Sequence, residues 1–146
     1  MRAEHSSGVR VAATPQQVWD VVSAWERQGE WIPLTTVWRT GGTPGQPGET
    51  LTGRTGIGPL SFDDTMVVLE VDEPWRCRVE HTGRVVRGVG EFRLIEVPGG
   101  TRVVWWEEVE VPGGPLAPLL WKLATPVLRI SFGLALRRLA RVVERE

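Results

Sequence analysis

Tyrosine is absent from this chain of 146 residues, cysteine and lysine occur once each, and histidine occurs twice. The lone Cys77 excludes an internal disulfide and a cysteine-rich metal centre. His5, His81 and Cys77 match no ligand spacing, so neither a metal nor a cofactor is expected. No G-x-G-x-x-G precedes a helix, and there is no P-loop and no G-x-S-x-G, although residues 53–58 are glycine-rich. Excess charge is lacking too. The formal net charge of −1 gives no global field to attract nucleic acid, and none is expected as a partner. The opening MRAEHSSGVRV has no apolar run of the signal-peptide kind, and the expectation is a cytoplasmic protein.

What is present fits an ordinary folded chain. Hydrophobic residues make up 41% and charged residues 24%, close to globular averages. The length predicts one domain, 1–146. A chain of this size buries roughly 70% of its unfolded surface, enough for a core without staples. Eight tryptophans suit a bulky core or an apolar pocket.

Periodicity gives the element order. Glu4–Ala12 reads as a strand. Thr14 then caps a helix that opens on Pro15 and carries Val18, Trp19 and Val22 at helical spacing. Glu26–Ile32 is a second short helical stretch. From Leu34 to Val111 the period is two, giving strands at Thr35–Arg39, Glu49–Ile57, Leu60–Val71, Trp75–His81, Val85–Ile95 and Thr101–Val111. Short turns join most of them, so they run antiparallel. Leu116–Glu146 is helical, with Phe132, Leu136, Leu139 and Val143 on one stripe, and Pro126 is expected to kink or interrupt it. The fold class is α+β: a curved antiparallel sheet of about seven strands around a long C-terminal helix, with two short helices between strands 1 and 2.

Four segments carry a family resemblance. They are Ala13–Val22 (ATPQQVWDVV), Trp25–Trp31 with Pro33, Val68–Pro74 (VLEVDEP) and Gly99–Trp105 (GGTRVVW). In this order the chain resembles the START-like helix-grip superfamily, in its polyketide cyclase/dehydrase and lipid-transport branch. The resemblance implies an internal cavity between sheet and C-terminal helix. It leaves function open, because the superfamily includes carriers, receptors and aromatase/cyclases.

Alternation then nominates residues. On the fifth strand Trp75, Cys77, Val79 and His81 share the inward face; on the last, Trp105 and Glu107 do. An inward carboxylate needs a partner, and His81 is the candidate. The pair either satisfies itself structurally or works as an acid/base couple. One of Asp63 and Asp64 must face inward, with Phe62 and Met66 favouring Asp64. Arg54 is the cation that would anchor an anionic group. Gly88 and Gly90 leave room for a ligand or for the helix. Cys77 is structural, and His5 has no recognisable partner. Trp31, Trp38, Trp75, Val79, Phe92, Trp105, Leu128 and Phe132 are the ligand-wall candidates.

Three functions follow. The first is a carrier or sensor of a small apolar ligand of lipid, aromatic or polyketide type. The second is a cyclase, aromatase or dehydratase using Glu107, His81, Asp64 and Arg54. The third is a membrane-surface or partner contact through the apolar 116–136 segment. Pro118, Pro126, Lys122 and Arg129 argue that this segment is a buried lid, so membrane contact is not expected. The chain is read as a monomer or homodimer.

Overall fold

The computed structural model describes residues 1–146. Strand β1 (Arg2–Val11) leads to helix α1 (Pro15–Val22) and a 3-10 turn (Trp25–Glu30). Strands β2 (Thr35–Gly41), β3 (Thr50–Thr55), β4 (Phe62–Asp72), β5 (Arg76–Thr82), β6 (Arg87–Val97) and β7 (Gly100–Glu110) follow, and helix α2 (Ala117–Glu144) closes the chain. All seven strands form one antiparallel sheet in the order β1-β7-β6-β5-β4-β3-β2. The two helical pieces are the crossover that carries the chain from one edge of the sheet to the other.

Local chemistry explains the boundaries. Thr14 Oγ1 accepts from the Gln17 N–H at 3.2 Å, while Gln17 Oε1 accepts from the Thr14 N–H at 2.9 Å. This reciprocal cap, with Pro15 in the first turn, starts α1. A bulge between Val68 and Glu70 shifts the parity of β4. Val68 and Val71, three residues apart, therefore both pair with inward-facing positions, Val79 and Cys77.

The core joins the inner face of the sheet, α1, Trp25 and Trp31 to the C-terminal half of α2. There Ala135, Leu136, Leu139, Ala140 and Val143 are buried. Leu136 and Leu139 each contribute about 1.5–3 kcal/mol by leaving water. The N-terminal half of α2 behaves differently. Pro126 does not end the helix. Its ring is exposed, and Thr125 Oγ1 donates to the Trp121 carbonyl at 2.8 Å beside it. The segment is also not the buried lid expected from its prolines and internal cations. Trp121, Leu128 and Phe132 face the sheet, Leu119, Leu120, Leu123 and Val127 face solvent, and Ile130 and Leu134 are exposed at the cavity rim.

Candidate functional site

A cavity of about 590 Å³ lies between the inner face of the sheet and α2. This is within the ~300–1,000 Å³ range of ligand pockets. Its wall is mostly apolar, with Val37, Met66, Val79, Phe92, Leu128 and Phe132 among the contributors. Phe132 of α2 stacks on Trp105 of β7, centroids 3.9 Å apart and planes at 13°. Trp105 in turn meets Phe92 at 5.3 Å. These rings tie the helix to the middle of the sheet.

One end of the cavity is charged. Register places Asp64 opposite Gly53, Met66 opposite His81, and Glu107 opposite Gly90, all on the inner face. His81 Nδ1 lies 2.9 Å from Asp64 Oδ1, and its Nε2 lies 2.9 Å from Glu107 Oε2. Trp105 Nε1 donates to Glu107 Oε1 at 3.0 Å. Each ring nitrogen faces a carboxyl oxygen, the arrangement in which an imidazolium donates to both sides. Burial alone would push its pKa down. The hydrogen bonds with Asp64 and Glu107, and then their charges, outweigh burial and raise it from 6.5 to about 10.

Gly90 makes this arrangement possible. A Cβ there would stand 2.8 Å from both Glu107 carboxylate oxygens. The room left by this glycine is thus filled by a side chain of β7, neither by a ligand nor by the helix. At Gly88, with φ +142°, a Cβ would strike the Glu108 carbonyl at 2.0 Å, so backbone approach fixes that residue.

Several expected wall and site residues lie elsewhere. Arg54 alternates with the inward Gly53 and so points out of the sheet. It forms a two-pronged ion pair with Asp63 at 2.8 and 3.1 Å and covers the Trp38 ring at 5.5 Å. Trp38 is on the outer face for the same reason, beside the inward Val37. Trp75 precedes the start of β5, escapes its alternation and is 42% exposed. Trp31 is fully buried and supports the wall from behind, edge-on to Phe92 and Trp105 at 5.8 Å each. Asp64, His81, Glu107, Val79, Phe92, Trp105, Leu128 and Phe132 all line the cavity.

Two residues of interest carried weak or no sequence signal. His5 lines the cavity, within 3.1 Å of Ser7 Oγ and edge-on to Phe132 at 5.0 Å. Burial and then the nearby Arg129 push its pKa down, against the pull of Glu107. It shares strand parity with Val9 and Val11, which was the available clue. Glu49 is 1% exposed and accepts from Trp25 Nε1 and the Gly45 N–H, both at 3.1 Å, and from Arg39. Only tertiary structure brings these donors together. Cys77 is buried, and burial, reinforced by the charges of Glu49 and Glu91, pushes its thiol up to about 12. It is a packing residue.

The sheet, the gripped helix and the cavity between them define a helix-grip protein. The chain belongs to the family described as polyketide cyclase / dehydrase and lipid transport, whose model matches residues 2–144. Its fold is similar to that of TTHA0849 from Thermus thermophilus, at TM-score 0.82 and 16% identity, with 98% of each chain covered. It is similar also to the Zhui aromatase/cyclase of Streptomyces sp. R1128, at TM-score 0.81 and 15% identity, covering 99% of this chain and 95% of that one. Half of the di-domain ARO/CYC StfQ from the steffimycin pathway matches at TM-score 0.80 and 12% identity, with 99% and 51% covered. No curated protein matches the chain.

Proposed function

We propose that the protein binds a small, largely apolar molecule in the cavity between the sheet and α2. The observation that carries this reading is the 590 Å³ space itself, walled by aromatic and aliphatic side chains. Moving roughly 200 Å² of apolar ligand surface out of water contributes about 5 kcal/mol before association costs. Titration with Nile red, a neutral apolar dye, tests it. Saturable one-to-one binding that is lost in the space-filling Val79→Trp variant is the expected result. Dye binding undiminished in a folded Val79→Trp protein overturns it.

A catalytic reading is favoured by one observation, the Asp64–His81–Glu107 array in the same cavity. A carboxylate there can take a proton from the carbon between two carbonyls of a polyketide-like substrate. Two features weaken it. His81 holds its proton too tightly to be a base at neutral pH, and Arg54, the intended partner of a developing oxyanion, lies outside the cavity. Deuterium uptake at the activated carbon of a β-diketone, followed by NMR, discriminates. Acceleration that disappears in Asp64→Asn supports catalysis, and a rate unchanged by the protein removes it.

The outer face of α2 supports a surface contact with an anionic bilayer. Its exposed apolar stripe runs from Leu119 to Leu134. Lys122, Arg129, Arg137, Arg138 and Arg141 are the only charged residues between Val111 and Val143. Co-sedimentation with phosphatidylglycerol vesicles, reduced by Leu123→Glu with Val127→Glu, is expected. Equal sedimentation of that variant refutes the contact.

A further inference from the structure

From the hydrogen-bond inventory at the charged end of the cavity, we infer that the ligand carries a hydrogen-bond donor, an ammonium best and a hydroxyl next, and that carboxylates are selected against. The inference rests on the cavity reading above and specifies its chemistry. Every donor in the array is already used. The two His81 N–H groups go to Asp64 and Glu107, and the Trp105 N–H goes to Glu107. What remains is acceptor capacity, above all Asp64 Oδ2, which has no partner within the protein. A ligand that reaches this end must therefore bring its own N–H or O–H.

Charge points the same way. The array contains two carboxylates and one imidazolium, a net single negative charge at low exposure. His5, the other inward histidine of this region, has its pKa pushed down by burial and then by Arg129, against the pull of Glu107. Glu91 and Glu110 touch the cavity wall, but their carboxylates are turned to Arg76, Arg78 and Arg93 and to Arg2 respectively. The chain has 17 arginines and lysines, and none of them lines the cavity. Arg54, the cation a carboxylate ligand would need, is committed to Asp63 on the far side of the sheet. Arg129 of α2 is exposed and outside the wall. An anionic head group would enter a low-dielectric space with no free cation and one net charge of its own sign. An ammonium would meet that charge and an open carboxylate oxygen.

Competition against Nile red with dodecylammonium, dodecanol and dodecanoate at neutral pH tests this, since the three share one apolar body. The ammonium is expected to compete at least tenfold better than the carboxylate, with the alcohol between. Asp64→Asn with Glu107→Gln is expected to erase that order, and Asp64→Asn alone to narrow it. Dodecanoate equal to or better than dodecylammonium, with the dye still displaced, overturns the inference and leaves the cavity reading intact. Absence of dye binding and of all three competitors overturns both.

Discussion

Carrying the protein from about pH 7 to about pH 8.5 at fixed salt should lower its stability by about 2 kcal/mol, through His81 alone. In the folded chain this imidazole lies between Asp64 and Glu107 and keeps its proton up to about pH 10, against 6.5 as its ordinary value. The folded state therefore binds more protons than the unfolded state between those two values, by close to one in the middle of the window. A group raised in this way contributes fully below its unfolded pKa, and the contribution drains away as pH climbs through the folded one. The slope in the window is about −1.4 kcal/mol per pH unit, and the whole contribution is about 5 kcal/mol. The other perturbed groups act mainly outside the chosen window. His5 is pushed down, so it acts below the ordinary histidine pKa and with opposite sign. Cys77, raised from 9.0 to about 12, acts in the same direction but adds only about 0.2 kcal/mol by pH 8.5 and reaches its full slope above pH 9. Urea unfolding followed by tryptophan fluorescence at several pH values measures the slope directly. His81→Gln should flatten it. A level profile in the natural chain, or an equal slope in the variant, would show that His81 is not an imidazolium held by two carboxylates.

Three more outcomes follow from the packing. Gly90→Ala puts a methyl group into the Glu107 carboxylate; it should cost about 1–3 kcal/mol and lower the His81 pKa, both read by the same pH-dependent unfolding. Glu49→Ala strips the buried Trp25 N–H of its acceptor, a loss of about 1–3 kcal/mol that Glu49→Gln should partly restore in thermal melts. Cys77 should resist a colourless-to-yellow disulfide reagent in the native state and react at full rate in urea, since its thiol is both buried and weakly acidic.

Much of the fold was legible because its signals are local. The change from a 3.6-residue to a two-residue period marks where α1 gives way to the sheet, and Thr14-Pro15 announces the helix start. Strand parity, once set by Cys77 and Val79, also brings His81 inward, and the same logic turns Glu107 toward it, whereas apolar neighbours on both faces of β4 left Asp63 and Asp64 undecided until register placed Asp64 inward. Parity fails where a residue leaves its strand, as Trp75 does. The outward position of Arg54 follows by the same parity from the inward Leu51 and Gly53. Glu49 was beyond reach, because its donors come from separate parts of the chain. The exposed stripe on α2 was hidden for another reason. Apolar side chains usually signal burial, and here only one side of the helix is covered.

That one-sided covering divides α2 into an anchor and a flap. The buried Ala135–Val143 turns bolt the helix to β1 and α1, whereas the turns before Phe132 touch the sheet only through a few cavity-wall side chains. Pro126 removes one rung of the helical ladder within this front half, and the Phe132–Trp105 stack is its aromatic contact with the sheet. On the binding reading proposed above, the route past this half of α2 parts that aromatic stack and leaves the β-layer zipped.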